Sequence, residues 1–366
     1  MVARMKPTPA ALALALLALP AAPSAQPRRL PIPIPGRLGG GANGGANGGA
    51  PTPAERAFSE GERLLRQGQA EQAARRFEEA HRLDPRDARP VFYLGEVARA
   101  AGRAGDAERL FREATTLAPT MAEAHAQLGA VLRDAGRLPD AVTSLERALQ
   151  LRPSLGEARY TLALCLEDQG QTERALREYE RAAQELPDDP LPPLNLGIAL
   201  ASLPERTPAQ RARAVRALTE ATRRGRDRRD VLAAAGPALR QVGEARAAAV
   251  ALEQARAMGA PSATILGELA QALQVAGDRA LAEQRMREAI AAAPREAPLR
   301  YVHGLMLAEA GRRNEAAAEF REAATLGAGT PLAERAAARA ASLGGPGSSP
   351  GSPPGVPHRP TPRPAR

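Results

Sequence analysis

The chain has 366 residues and is 44% hydrophobic by a count in which alanine weighs heavily, with five Phe, four Tyr and no Trp. So little aromatic bulk cannot fill a large globular core and implies closely packed Ala/Leu helices. A single Cys excludes an intramolecular disulfide framework, a Cys-based zinc site and an iron–sulfur cluster, while the formal charge of +9 raises nucleic acid or an anionic membrane as a partner.

Residues 1–25 place Arg4 and Lys6 ahead of an apolar stretch from Ala10 to Leu19, followed by Pro20 and the small residues Ala22, Ser24 and Ala25. This is the layout of a secretory signal peptide. The apolar run, roughly ten to twelve residues, falls short of the roughly 18 needed to span a bilayer. No Cys lies nearby for acylation, so the mature chain is expected to be soluble and exported, in a bacterial periplasm or outside the cell. Residues 26–53 hold no acid and few bulky side chains beyond Leu30, Ile32, Ile34 and Leu38, a composition that does not repay the entropy of ordering. A Gly-rich segment of that length is a tether spanning roughly 30 Å. Residues 345–366, rich in Pro, Gly and Ser with three Arg, are expected to be disordered as well.

Between these ends a 34-residue period dominates. Gly61, Gly68, Ala73, Phe77, Ala80 and Pro85 recur as Gly95, Gly102, Ala107, Phe111, Ala114 and Pro119, then as Gly129, Gly136, Ala141, Leu145, Ala148 and Pro153, then as Ala163, Gly170, Ala175, Tyr179, Ala182 and Pro187. Numbered so that the first Gly is position 8, the units run 54–87, 88–121, 122–155, 156–189, 190–228, 229–262, 263–296 and 297–330, the fifth carrying extra residues around Leu203–Ala209. Residues 331–344 add one capping helix. Apolar residues at positions 7, 8 and 11, then 20, 24 and 27, predict two helices per unit. Gly or Ala at 8 and Ala at 20 permit close crossing, and the larger residue at 24 fills the gap. Gly at 15 suits a left-handed turn, and Pro at 32 ends the second helix. Helices this short need neighbours, so function belongs to the array.

This pattern resembles the tetratricopeptide repeat (TPR) family over residues 54–330. The resemblance implies an all-α, right-handed superhelical solenoid whose concave groove, lined by first-helix positions 2, 5, 9 and 12, holds a segment of another protein. Position 5 carries Phe58, Phe92, Tyr160 and Tyr301, aromatics outside the expected core row and therefore candidate interface anchors. With Leu164, Leu191, Leu194 and Ile198 they predict an apolar patch inside a rim of Arg66, Arg99, Arg133, Glu62, Glu96 and Glu167. The carboxylate clamp known in the family, built from Lys, Asn and Arg, is missing: Asn195 stands alone, and Lys6 is the one lysine of the chain.

No catalytic constellation emerges. His81, His125, His303 and His358 are far apart and fall at different repeat positions; Cys165, between Leu164 and Leu166, reads as a buried small hydrophobe. The Gly-rich run at 39–49 lacks the Lys and helix of a phosphate loop. No cofactor is implied. Charge divides unevenly: residues 1–25, 26–53 and 345–366 hold eight cations and no acid, leaving 42 Arg against 41 acids from Ala54 to Gly344. Residues 205–230 hold nine of those Arg with four acids, a local basic patch. Specific nucleic-acid binding is therefore not expected, only weak, salt-sensitive attraction of the cationic ends to anionic envelope surfaces. The expectation is an exported, non-catalytic scaffold gripping a partner segment in its groove, with a periplasmic chaperone or accessory subunit for unfolded or enzyme clients as the alternative.

Overall fold

The computed structural model describes residues 50–260 and 262–343; the signal-peptide, N-terminal tether and C-terminal tail readings lie outside them, apart from the last few residues of the tether. The described residues form seventeen α-helices and no strands, an all-α helical repeat fold. The chain divides into two compact units at Glu244/Ala245, between the two helices of the sixth sequence repeat.

The N-terminal unit holds eleven helices. They are α1 (Pro53–Arg66), α2 (Ala70–Leu83), α3 (Ala88–Ala100), α4 (Ala104–Leu117), α5 (Ala122–Asp134), α6 (Leu138–Leu151), α7 (Gly156–Asp168), α8 (Thr172–Glu185), α9 (Leu191–Ser202), α10 (Pro208–Arg224) and α11 (Arg229–Gln241). Each odd-numbered helix from α1 to α9 packs on the even one that follows, and α2, α4, α6 and α8 each pack on the first helix of the next pair. The contact within a pair is decided by one Gly and one bulky residue. A Cβ on Gly95 would stand 2.7 Å from Cε1 of Phe111, and one on Gly61 2.6 Å from Phe77, so only a bare Cα lets the ring lie against the helix. Phe77, Phe111, Leu145 and Tyr179, all at position 24, are completely buried.

The turns follow from position 15. Gly68, Gly102, Gly136 and Gly170 have φ between +72° and +75°, the left-handed conformation, and the amide after Gly102 returns to Ala98 O at 2.9 Å, closing the helix end. The fifth repeat lacks that glycine. Its longer connection is fixed instead by a capping box on α10, in which Thr207 and Gln210 exchange hydrogen bonds, with Pro208 at the first helical position. Arg206 donates to Ala201 O and Gln241 O, and Arg211 donates to Val242 O at 2.6 Å, so side chains secure what a glycine turn secures elsewhere.

Position 4, where the sequence departs from the aromatic common in the family, has a polar use. The His125 ring lies 3.1 Å from Pro119 O, and Arg159 Nη2 donates to Pro153 O at 2.5 Å. Both carbonyls belong to the proline that ends the preceding repeat. Arg159, largely buried, also binds Glu185 through Nε at 2.9 Å and Glu178 at 2.8 Å.

The C-terminal unit holds α12 (Ala245–Ala257), α13 (Ala263–Ala276), α14 (Arg279–Ala292), α15 (Ala297–Glu309), α16 (Arg313–Leu326) and α17 (Pro331–Leu343). Gly304 faces Phe320 as Gly95 faces Phe111, and α17 covers α16. His303 is buried between two carboxylates, with Nδ1 3.1 Å from Glu319 and Nε2 4.0 Å from Glu283. Arg312 holds the Glu283 carboxyl below its ordinary range by a direct hydrogen bond. Burial alone would raise Glu319, but the nearby His303 ring and Arg300 at 3.2 Å outweigh it and depress that carboxyl too. Both carboxyls are more acidic folded than unfolded. Their contribution is therefore complete above the ordinary glutamate value of 4.5 and is lost as pH falls below it. Thermal unfolding of this unit should shift to lower temperature between about pH 5 and pH 3, and Glu283→Gln with Glu319→Gln should flatten that dependence.

Candidate functional site

The sequence places the candidate anchors at position 5 of the first helices, and the structure puts most of them inside. Phe58, Phe92, Leu191, Leu194 and Tyr301 are buried, Phe92 at 2% exposure and Leu194 at 1%, and this corrects their reading as groove anchors. The reason is a pairing across each repeat. Phe58 packs on Phe77 with ring centroids 5.7 Å apart, Phe92 on Phe111 at 5.7 Å, Tyr160 on Tyr179 at 6.0 Å and Tyr301 on Phe320 at 5.3 Å. A ring at position 5 thus completes the core that position 24 begins. Tyr93 extends this between repeats, stacking on Phe77 at 5.1 Å and meeting Phe58 at 5.6 Å, and the Arg89 guanidinium lies 4.8 Å from the Phe58 ring centre.

Three candidates remain half-exposed: Tyr160 and Leu164 on α7 and Ile198 on α9, all in the N-terminal unit. Asn195 Nδ2 donates to the Tyr160 hydroxyl at 2.9 Å and fixes the ring between the two helices. Tyr301 belongs to the other unit.

Charge surrounds this row. The Glu96 side chain is fully buried, its Oε2 accepting from Arg99 Nη2 at 3.1 Å while Oε1 has no hydrogen-bond partner. Burial raises the Glu96 carboxyl, Arg99 pulls it part of the way back, and the charge of Glu157 raises it again. Glu157 is itself raised by burial and by Asp189, with Arg99 opposing. Tyr160 is raised far above an ordinary phenol by burial, Asp189 and Glu167, against Arg133 and Arg228. Glu167 accepts from the Tyr179 hydroxyl at 2.6 Å, Glu62 accepts from Tyr93 at 3.3 Å, and Arg133 lies 3.7 Å from Asp168 and 3.8 Å from Asp134. Of the rim residues read from the sequence, Glu96 and Arg99 pair with each other, whereas Glu62, Glu167 and Arg133 are engaged by Tyr93, Tyr179 and the carboxylates of Asp134 and Asp168. Glu157 was missed because the groups it acts with, Glu96 and Arg99, stand in the second repeat.

The basic stretch 205–230 is largely consumed within the protein. Arg224 Nη1 donates to Ala183 O at 3.1 Å and Leu186 O at 2.9 Å at the end of α8 and to Asp189 O at 3.1 Å in the turn that follows, while Arg213 bridges to Glu180 at 2.8 Å. Arg223 and Arg228 pair with Glu220 and Asp230, both at 2.6 Å, and Glu220 also accepts from Arg224 at 2.7 Å. Cys165 is completely buried and burial pushes its thiol up to about 11, so it packs rather than reacts. A shallow cavity of about 430 Å³ near His125, Thr143 and Arg147 gathers no convergent catalytic groups. Among the described residues no cluster of three His, Cys, Asp or Glu is placed to hold a metal, and no helix is long and apolar enough to cross a membrane.

The family model for the tetratricopeptide repeat matches residues 58–122 and 127–190. No curated protein matches the chain. Among solved structures, PilW, titled a widely conserved type IV pilus biogenesis factor, is 20% identical, over 57% of this chain and 94% of PilW, with a TM-score of 0.49. MamA from residue 41 to its end, from Desulfovibrio magneticus RS-1, is 23% identical over 48% of this chain and 96% of that one, with a TM-score of 0.42. YrrB, titled a TPR protein with an unusual peptide-binding site, is 20% identical over 52% of this chain and 95% of its own, at 0.43. Over the two segments that the tetratricopeptide repeat model matches, the crossings of Gly61 on Phe77 and Gly95 on Phe111 and the left-handed turns at Gly68, Gly102, Gly136 and Gly170 recur at the repeat positions of that pattern.

Proposed function

We propose that the chain is a non-catalytic interaction scaffold that holds a segment of another protein along the first helices of its N-terminal unit, outside the cytoplasm. The observation that carries this reading is the half-exposed row Tyr160, Leu164 and Ile198, set among incompletely paired charges on successive first helices. Apolar side chains left open beside polar ones are what a partner segment needs for affinity and register. The export half of the proposal rests on the leader-like residues 1–25.

A chaperone for unfolded clients would need a broad apolar surface. Among the described residues the large apolar side chains that stand exposed are four, Leu83 at the end of α2, Val250 on α12, Met258 just after it and Val275 on α13, none of them on the first helices of the N-terminal unit. This favours one specific partner.

The test uses the half-exposed positions, because Phe92→Ala or Leu194→Ala would open the core. Leu164→Arg with Ile198→Arg should abolish stoichiometric co-purification of a cross-linked partner from the native cell at unchanged helicity. Leu83→Arg, at the end of a second helix, should not. Capture that survives the paired substitution would refute the proposal.

A further inference from the structure

The last helix of the array, α17, is the first half of a repeat without its second half. Counting on from the eighth unit, residue 331 is position 1, which puts Glu334, Ala337, Ala338 and Ala341 at positions 4, 7, 8 and 11. In the eighth repeat those positions are Arg300, His303, Gly304 and Leu307. There α16 closes over them: His303, Gly304 and Leu307 are buried, Gly304 faces Phe320 and Arg300 pairs with Glu319. The side of α17 that packs on α16 carries Ala333, Ala336 and Ala340, all buried. Glu334, Ala337, Ala338 and Ala341 stand exposed instead, and their spacing of i, i+3, i+4 and i+7 makes them one stripe that no described residue covers. Arg335 and Arg339 border it, both exposed, and Arg335 is tied back to Pro331 O at 3.3 Å; Glu334 is the one carboxylate of this helix.

The chain that continues from α17 carries a pattern that fits this stripe. Seven of the nine residues 344–352 are Gly or Ser, the composition of a reversal. Beyond them, three residues per turn of polyproline II would sort the side chains into rows. Pro354, Pro357 and Pro360 form one, Pro353, Val356 and Arg359 the next, and Gly355, His358 and Thr361 a polar third. The lengths agree: the 13 residues of α17 rise about 20 Å, and polyproline II covers about 19 Å from 354 to 360. We propose that residues 353–360 lie antiparallel on α17 as a polyproline II helix, with Pro354, Pro357 and Pro360 on the Ala337, Ala338 and Ala341 stripe, in place of the missing second helix. With Pro354 level with the end of α17, the two rises bring Pro357 to Ala338 and Arg359 to Glu334, so opposite charges meet. Alanine methyls let the proline rings approach closely, and prolines bring no N–H to be stranded against them and little backbone freedom to lose. The short connection keeps the segment at an effective concentration on the order of millimolar, an advantage that a partner in trans lacks.

The test is thiol–disulfide exchange in the full chain, with the buried Cys165 removed as Cys165→Ala. Ala338→Cys is paired in turn with Pro357→Cys, His358→Cys and Thr361→Cys, and each protein is equilibrated with reduced and oxidised glutathione. The fraction closed gives the effective concentration of each pair of thiols. A segment free of the helix presents 357 and 358 equally. A docked one should close 357 about tenfold more readily than 358, with 361 no better than 358, because disulfide geometry admits the facing row alone. Ala337→Glu with Ala341→Glu, both at exposed positions, should erase that preference while leaving the thermal unfolding temperature unchanged. Equal closure at 357 and 358, or a preference that survives the double substitution, overturns the proposal. A dimer of the full chain in sedimentation velocity that the same double substitution dissociates would give the stripe to a second copy and refute the C-terminal segment as its occupant.

Discussion

Phe111→Ala is expected to destabilise the N-terminal unit by about 3–5 kcal/mol, the cost of emptying a fully buried aromatic site that cannot collapse. The cost should not be symmetric with its neighbour. Gly95→Ala in the native background drives a methyl to 2.7 Å from the ring and should cost about 1–3 kcal/mol through overpacking. Once Phe111 is Ala the ring is gone, and the same methyl enters vacated space, so Gly95→Ala should then cost nothing or stabilise. Urea unfolding of the four proteins, followed by far-UV circular dichroism, closes the double-mutant cycle. A Gly95→Ala penalty that is equal in both backgrounds would mean the ring and the glycine do not meet.

The second large effect is expected at Arg159. Its guanidinium serves two carboxylates and a proline carbonyl from a largely buried position, so Arg159→Ala strands Glu185 and the carbonyl, leaves Glu178 only Arg181 at 3.5 Å, and should cost about 3–5 kcal/mol. Glu185→Gln with Glu178→Gln added to that variant should recover a substantial part, since the penalty lies mainly in carboxylates that lose the nearest counter-charge. Failure of the triple variant to recover any stability by the same unfolding measurement would put the loss in packing along the arginine stem instead.

The fold was legible because its determinants are short and repeated. Gly or Ala at 8, Ala at 20 and a larger residue at 24 describe one crossing, and Gly at 15 one turn; a 34-residue period prints them over and over. The anchors were misread for a reason that the sequence also contained. Where position 24 is aromatic, at Phe77, Phe111, Tyr179 and Phe320, position 5 is aromatic too; where it is Leu145, Leu218, Leu252 or Met286, position 5 is Ala126, Leu194, Ala233 or Gly267. Matched identity nineteen residues apart within a repeat is the mark of two side chains sharing one core, and the rings do meet there. The charge field was less accessible. Glu157 acts on Glu96 across two repeats, with Arg99 opposing, and no linear spacing announces a sum over separate repeats.

The Arg224 side chain has a consequence for how the array comes apart. In a stack whose members touch only through faces, each boundary is a place where the ends can fray one member at a time. Arg224 crosses such a boundary and holds three carbonyls that the preceding helix end and the turn after it would otherwise surrender to water. Peeling α9 and α10 away breaks that tie and exposes the end of α8 in one event. The fourth and fifth repeats are therefore coupled into a single cooperative block, a built-in firebreak against unravelling.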